Sequence, residues 1–218
     1  MSTVYDCGHP RERKDGLAAA ASAVRAGDLV VIPTDTVYGI GADAFSLSAV
    51  HDLLAAKGRG SDMPVGVLVG SWSTIDGLVL SVPHQARRLI EAFWPGDLSL
   101  VLHHAPSLSW DLGRTKGTVM VRMPLHPVAI ELLRETGPMA VSSANRSGLP
   151  PASTVDEARG QLGESVRVYL DGGPSGDPVP STIVDLTGDE PVMLREGAVS
   201  MAAVSEALGG VEVARPGG

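Results

Sequence analysis

The sequence contains a single cysteine and no long apolar run, and these absences exclude several classes of protein. Cys7 has no partner for an internal disulfide, and one thiol cannot build a cysteine metal cluster. No run of about 18 apolar residues is present to span a membrane, and Met1–Lys14 is too polar to act as a signal peptide. We therefore expect a cytoplasmic protein that does not enter a membrane.

Several catalytic and metal-binding patterns are also missing. The chain has no P-loop, no Gly-x-Ser-x-Gly nucleophile elbow, no clearly spaced pair of carboxylates and no metal-ligand spacing among its six histidines. A formal net charge of −8 argues against broad, nonspecific binding to nucleic acid, although a local basic pocket could still hold phosphates. We predict no metal site in the protein, and any nucleotide must bind by a design other than the P-loop.

Apolar runs and amphipathic segments alternate along the chain, which indicates an α/β sheet with helices packed on it. The first helix is predicted to begin at Asp15 as its N-cap and to end at Gly27. Some later connections are too short for crossovers, so the sheet should be mixed. With no linker or repeat in 218 residues, we predict one domain over residues 15–208, between flexible segments 1–14 and 209–218. Residues 172–176 have the composition of a mobile loop.

The chain is organised around residues 29–41, where an apolar run stops abruptly in a polar, glycine-containing turn. Leu29–Ile32 is typical of a buried strand, and Pro33 ends it because proline has no N–H to donate. The side chains of residues 34–36 can stabilise a tight turn, with Asp35 as its cap. Gly39 and Gly41 allow close approach of a ligand or of another strand.

Polar clusters and isolated cations follow several of the predicted strands, and ligands collect at the ends of strands in open α/β sheets. Lysine and arginine neutralise phosphate oxygens, and arginine also binds carboxylates with two parallel hydrogen bonds. The residues alone therefore indicate an anion-binding pocket at the strand ends. Its candidates are Thr34 to Thr36, Lys57, Arg59, Arg122, Ser142 to Asn145, Pro180 to Thr182 and Arg195.

Seven short motifs occur in the order found in the YrdC/TsaC family, which the chain resembles over roughly residues 15 to 200. Any one of them would be weak evidence, but the ordered set is highly specific. The motifs are Pro33-Thr34-Asp35-Thr36-Val37-Tyr38-Gly39, Lys57-x-Arg59 with Pro64, Phe93-Trp94-Pro95-Gly96, Arg122-x-Pro124, Ser142-Ser143-Ala144-Asn145, Pro180-Ser181-Thr182 and Arg195-x-Gly197.

The resemblance implies a twisted, open, mixed but mostly parallel sheet with a large concave site. It also implies the activity of an L-threonylcarbamoyladenylate synthase, a nucleotidyltransferase. Such an enzyme uses L-threonine, bicarbonate or carbon dioxide, and ATP to make threonylcarbamoyl-AMP and pyrophosphate. The product is the intermediate for the N6-threonylcarbamoyl modification of adenosine 37 in tRNA. Mg²⁺ is expected to accompany the ATP phosphates, without a carboxylate cage in the protein.

The resemblance also assigns roles to individual residues. The set around the triphosphate, which holds the catalytic candidates, is Lys57, Arg59, Ser143 and Asn145. Further nucleotide contacts are Thr118, Ser153 and Arg195. The threonine pocket is Thr34, Thr36, Arg122, Ser142 and Ser181. Local structure explains Ser153, at a helix start, and Thr118, at a strand start, equally well, and a place in the core or in a turn explains Trp94.

Two departures and three alternatives accompany this interpretation. Gly60 stands where many family members have proline, and the chain resembles the short form without the extra C-terminal domain. It would then need the proteins of the threonylcarbamoyl transferase complex, with tRNA contacted indirectly.

The alternatives are a noncatalytic RNA-binding or ribosome-assembly module, a carbamoyl-adenylate enzyme related to the hydrogenase-maturation protein, and a riboflavin-pathway synthase. The single cysteine and the missing acidic metal site disfavour the last two.

Overall fold

A computed structural model describes residues 1–60, 62–175 and 179–217. Gly176, in the predicted mobile loop, and Gly218, in the predicted tail, lie outside the described residues. Ten strands, six α-helices and two 3₁₀ helices (Trp72–Gly77 and Gly163–Ser165) make up the described part. In chain order they are β1 (Thr3–Asp6), α1 (Pro10–Arg25), β2 (Val30–Ile32), β3 (Gly39–Asp43), α2 (Leu47–Ala56), β4 (Gly66–Leu68), α3 (His84–Phe93), β5 (Leu98–His103), β6 (Thr118–Arg122), α4 (Pro127–Thr136), β7 (Met139–Ser143), α5 (Val155–Leu162), β8 (Val168–Asp171), β9 (Thr182–Asp185), β10 (Val192–Arg195) and α6 (Met201–Ala207).

The strands form one open sheet in the order β1-β8-β2-β3-β7-β4-β6-β5-β9-β10. The predicted α/β class and the open, mixed sheet are confirmed. The prediction that parallel pairs predominate is corrected: the described sheet has four parallel pairings, β1–β8, β8–β2, β4–β6 and β5–β9, and five antiparallel ones. Short connections, such as the six residues between β2 and β3, cannot make a parallel crossover.

Strand β3 is absent from the sequence prediction because glycine has a low preference for strands. It pairs antiparallel with β2 on one side and with β7 on the other. A Cβ atom on Gly39 would lie 2.8 Å from Cγ1 of Val141, and one on Gly41 would lie 2.7 Å from Cε of Met139. The glycines therefore provide the close approach to another strand that the sequence predicted.

The predicted helix start at Asp15 is wrong, since helix α1 begins five residues earlier at Pro10. Proline suits the first turn because its missing N–H would have no helical partner there. Strand β1 pairs with β8, and near the C-terminus Met193 N donates to the carbonyl oxygen of Ala214 at 2.9 Å. The folded unit therefore extends beyond residues 15–208 at both ends.

Helices cover the two faces of the sheet with separate apolar clusters. On one face, α1 and α4 pack together over β1, β2 and β8, with Ala20, Val24 and Leu132 buried. The other face carries the larger cluster, to which α2, α3, α5 and α6 contribute. No helix in the described ranges is long and apolar enough to cross a membrane.

Candidate active site

A cavity of about 590 Å³ lies along the sheet, against residues of β3, β4, β5, β6, β7, β9 and β10. Its floor is apolar and includes Val67, Met120 and Val141, with Gly39 and Gly66 leaving space above the strands. A Cβ atom on Gly66 would lie 2.6 Å from Cε of Met120, so a larger residue would push that side chain aside. The serine, threonine and arginine side chains of the wall are Thr34, Thr36, Arg59, Ser99, Arg122, Ser142, Ser143, Ser181 and Arg195.

The charge of this cavity is opposite to that of the whole chain. Three arginines line it, and among the described residues no aspartate or glutamate does, although the formal net charge of the protein is −8. Three fixed positive charges beside hydroxyl donors make a site that favours anions. The cavity therefore has the charge that an anion-binding pocket at these strand ends would require.

Eight of the twelve predicted site residues line the cavity, and four do not. The four outside it are Lys57, Thr118, Asn145 and Ser153. Ser99 lines the cavity and was not predicted, because an isolated serine in an apolar strand carries no signal of its own. Its hydroxyl lies 3.1 Å from that of Ser181, which directly precedes the neighbouring strand β9.

Thr34, Thr36 and Arg122 form a hydrogen-bonded group at the turn after β2. The hydroxyl of Thr34 donates to the carbonyl oxygen of Val37 at 2.6 Å and lies 3.2 Å from that of Thr36. Nη1 of Arg122 donates to Oγ1 of Thr36 at 3.0 Å. Both threonines are buried, so their positions are set by this network rather than by solvent.

Asp35 does not cap its turn as predicted but forms an ion pair. Nη2 of Arg122 donates to Oδ1 of Asp35 at 2.6 Å and to Oδ1 of Asp97 at 3.1 Å, and Nε donates to the carbonyl oxygen of Gly96. The reason is burial: a carboxylate that is only 12% exposed requires a partner of opposite charge. Asp97 directly follows the Phe93-Trp94-Pro95-Gly96 motif, but nothing in the sequence links it to Arg122.

The two carboxylates differ in their proton affinity. Burial, together with hydrogen bonding and repulsion from Asp35, raises the pKa of Asp97 to about 6. Burial also acts to raise the pKa of Asp35, but attraction by Arg122 and hydrogen bonds outweigh it, and the pKa is lowered. Oδ2 of Asp35 is buried and has no hydrogen-bond partner among the described residues.

Arg59 lies beside β7 with part of its hydrogen-bonding capacity unused. Nη1 donates to Oγ of Ser142 at 3.2 Å, while the buried Nε has no partner in the part of the chain that the structure describes. A buried guanidinium donor without a partner costs free energy unless a ligand binds it. Arg59 is therefore well suited to contact an anion in the cavity.

Lys57 is almost fully buried, beneath the loop that follows β7. Its Nζ donates to the carbonyl oxygens of Ser143 and Asn145, the latter at 2.7 Å, and its own carbonyl accepts from Ser147 N at 2.8 Å. Nδ2 of Asn145 donates to the carbonyl oxygens of Arg146 and Leu149. Lys57 and Asn145 thus hold the end of β7, where Ser143 lies, together with the loop that follows it.

The environment of Lys57 disfavours its charged form. Burial lowers the pKa of Lys57 to about 7, and repulsion by Arg59 acts in the same direction. A neutral amine retains two N–H donors, which matches the two carbonyl oxygens it contacts. The third contact, to Oδ1 of Asn145 at 3.4 Å, is the weakest of the set.

The hydroxyls of Thr118 and Ser153 are used locally. Thr118 donates to the carbonyl oxygen of Thr115 at 2.7 Å, and Ser153 donates to Oε2 of Glu157 at 2.9 Å. Glu157 N donates in turn to the hydroxyl of Thr154, which caps helix α5. These bonds agree with the local explanations of both residues.

The far wall of the cavity is formed by strands β9 and β10. Nε of Arg195 donates to the carbonyl oxygen of Ser181 at 2.9 Å. The buried Oγ1 of Thr182 accepts from Gly197 N and Val199 N and donates to the carbonyl oxygen of Val199. This network explains why the motifs at 180–182 and 195–197 occur together.

Trp94 anchors the turn between α3 and β5, as predicted. Its indole Nε1 donates to the carbonyl oxygen of Leu98 at 2.7 Å, and its side chain belongs to the larger apolar cluster. The turn presents Gly96 and Asp97 to Arg122. In the described ranges, no group of three or more His, Cys, Asp or Glu side chains is arranged to hold a metal ion.

Comparisons with known proteins agree in pointing to one family. The family model Sua5_yciO_yrdC, described as telomere recombination, matches residues 22–197. A Mycobacterium tuberculosis protein, provisionally named threonylcarbamoyl-AMP synthase, is 65% identical over 96% of this chain and 96% of its own length. The Bacillus subtilis threonylcarbamoyl-AMP synthase is 38% identical over 90% of this chain, which spans 58% of that longer protein.

Structural similarity extends over nearly the whole chain. The crystal structure of Pyrococcus abyssi Sua5 complexed with L-threonine superposes with a TM-score of 0.89 at 31% identity. The match covers 97% of this chain and 62% of the Pyrococcus chain. The described fold is therefore that of one part of a longer protein in Pyrococcus and of nearly the full length of the mycobacterial protein.

Proposed function

The chain belongs to the Sua5/YciO/YrdC family, and we propose that it is a threonylcarbamoyl-AMP synthase. It would join L-threonine, bicarbonate or carbon dioxide, and ATP into threonylcarbamoyl-AMP and release pyrophosphate, together with one water molecule when bicarbonate is the carbon source. The observation that carries the proposal is a cavity lined by three arginines and by no acidic side chain among the described residues. Its volume of about 590 Å³ lies within the usual range for small-molecule sites, roughly 300 to 1,000 Å³.

The hydroxyl-rich part of the cavity suits the amino acid. Thr34 and Thr36 are held in place beside Arg122, and the hydroxyl of Ser181 lies within hydrogen-bond distance of that of Ser99. An arginine and fixed hydroxyls can bind the carboxylate and hydroxyl of threonine with directional hydrogen bonds. The threonine complex of the Pyrococcus protein supports this assignment.

The two other arginines of the cavity, Arg59 and Arg195, suit the phosphates of ATP. Arg59 with Ser142 and Ser143 lies near β7, and Arg195 lies at β10. A carbamate formed on the threonine amine is an anion that must approach the anionic α-phosphate. Fixed positive charge lowers that repulsion and stabilises the charge that develops on the leaving pyrophosphate. Positioning supplies the rest, and no covalent nucleophile is required.

Four predicted residues contribute in a different way or need to change partners. Lys57 and Asn145 would support the phosphate site by holding the end of β7, where Ser143 lies. Thr118 and Ser153 remain proposed nucleotide contacts, and each must exchange its present local hydrogen bond to bind ATP. The expected effect of losing either hydroxyl is therefore smaller than that of losing Arg59.

The residues of the cavity do not fit a resident magnesium ion, because Mg²⁺ prefers carboxylate and other oxygen ligands and the described lining has no carboxylate. We propose that any Mg²⁺ arrives bound to the phosphates of ATP. The product would serve tRNA modification through the proteins of the threonylcarbamoyl transferase complex, with tRNA as an indirect partner. That role supports a cytoplasmic location.

Pyrophosphate release from ATP tests the proposal, with L-threonine and bicarbonate added singly and together. We expect release by the wild type only when both are present. Arg59→Ala should lose at least about tenfold in rate, since it removes a charge-assisted contact. Arg159→Ala removes an exposed arginine of α5 and is the matched control, expected to behave as the wild type. Equal rates in the two variants would contradict the assigned role of Arg59.

A further inference from the structure

Arg122 has almost no hydrogen-bonding capacity left for a ligand. A guanidinium has five N–H donors. Nε is taken by Gly96, one donor of Nη1 by Thr36, and both donors of Nη2 by Asp35 and Asp97. Within the described residues, one N–H of Nη1 remains. A carboxylate that is to receive two hydrogen bonds from Arg122 must therefore displace one of the present partners.

Asp97 is the partner that is held least firmly. Its distance to Nη2 is 3.1 Å, against 2.6 Å for Asp35. Its side chain is 32% exposed, whereas that of Asp35 is 12% exposed. The raised pKa of Asp97 and the lowered pKa of Asp35 point the same way, because Asp97 accepts a proton more easily. Neither carboxylate lines the cavity.

We propose that the carboxylate of the amino-acid substrate displaces Asp97 from Arg122 and that Asp97 then takes up a proton. This inference rests on the proposed function, since it concerns how the same site binds threonine. The exchange forms no covalent bond: one carboxylate replaces another on Nη2, and a proton from solvent converts the Asp97 carboxylate to a carboxylic acid. Asp97 thereby acts as a positioning residue that couples threonine binding to pH.

The cost of placing a further negative charge in a partly buried site is the physical reason why Asp97 takes up a proton. Arg122 with two carboxylates carries a net charge of −1 at neutral pH. Adding the substrate carboxylate without a proton would bring the group to −2 in a partly buried place, which is costly. The charged groups that face Asp97 are Asp35 and Arg122. His126 interacts with Asp35, and Arg195 with Arg122, at longer range.

The exchange predicts how affinity for threonine depends on pH. Below about pH 6, Asp97 is already protonated and affinity is constant. Above that value each bound threonine requires a proton, so Kd rises by up to about tenfold for each pH unit. Asp97→Asn mimics the protonated acid and should bind threonine with a Kd that is nearly independent of pH.

Titration calorimetry of L-threonine at pH 7.5, in buffers with different ionisation enthalpies, counts the protons taken up. We expect close to one proton for the wild type, none for Asp97→Asn, and the wild-type value for Asp189→Asn, an exposed carboxylate used as control. A wild-type heat that is independent of buffer would overturn the exchange, as would full proton uptake by Asp97→Asn.

The failure of the proposed function has a separate signature. If the folded wild type binds no L-threonine at millimolar concentration, the assignment of the pocket is wrong, and the exchange with it. If threonine binds but Kd is the same at about pH 6 and pH 8, only the exchange is wrong. The wild-type measurement alone decides between these results, so the test does not depend on the stability of the Asp97 variant.

Discussion

The wild type should become more stable as pH rises above neutral. Replacing Lys57 with methionine is predicted to remove this rise. The unfolded lysine has a pKa of 10.5, and burial lowers the value in the folded protein to about 7. Between those values the unfolded chain binds more protons than the native state. The free energy of unfolding therefore increases as pH rises through this window.

The size of the effect follows from the shift. Lowering the pKa of Lys57 from 10.5 to about 7 corresponds to about 5 kcal/mol of cost for keeping the ammonium charged in the fold. From about pH 7 to pH 9 the stabilisation is at most about 1.4 kcal/mol per pH unit, so about 2 kcal/mol in total. The two carbonyl oxygens of Ser143 and Asn145 remain satisfied, because the neutral amine keeps two donors.

Urea unfolding of the wild type and of Lys57→Met at several pH values measures the effect. The difference in free energy of unfolding between the two proteins should grow by about 2 kcal/mol from about pH 7 to pH 9. Taking the difference cancels the pH-dependent contributions of the groups that both proteins share. As a control, Lys14→Met replaces an exposed lysine. A difference that stays constant with pH would refute the reasoning, as would an NMR titration of Lys57 with a pKa near 10.5.

Two further substitutions test the structure around the cavity and the shape of its floor. Thr182→Val should lower the free energy of unfolding, measured in urea, by roughly 3 kcal/mol, because it leaves the amide and carbonyl groups of Val199 without their partner. A decrease below about 1 kcal/mol would contradict this prediction. Gly66→Ala should raise the Kd for threonine or ATP severalfold by pushing Met120 into the cavity, whereas Gly77→Ala, with open space around it, should not; equal Kd values would contradict the shape assigned to the floor.

Most helices and buried strands could be predicted because their signals are local. The apolar run at 30–32, the cap at Thr154 and the proline that opens α4 each act within one turn or strand. Strand β3 could not be predicted in this way, since its glycines are explained by side chains of β7 far along the chain. Strand β1 has the same difficulty: it depends on pairing with β8.

The candidate site was predicted in its composition better than in its geometry. Residue type and position at the end of a strand or a helix were enough to bring Arg59, Arg122 and Arg195 together in the prediction, and all three line the cavity. The direction of the Lys57 side chain could not be predicted, because a lysine that follows a helix can turn toward solvent, toward a ligand or toward a neighbouring loop. Asp97 went unnoticed because only the folded chain brings it to Arg122.

The most direct test of the account is mass analysis of the nucleotide formed from ATP, L-threonine and ¹³C-bicarbonate by the purified protein. We expect threonylcarbamoyl-AMP that carries the label, formed only when threonine is present. Arg59→Ala should form much less of this product, while Arg159→Ala should form as much as the wild type. Folded wild-type protein that yields no labelled adenylate under any of these conditions would contradict the synthase assignment.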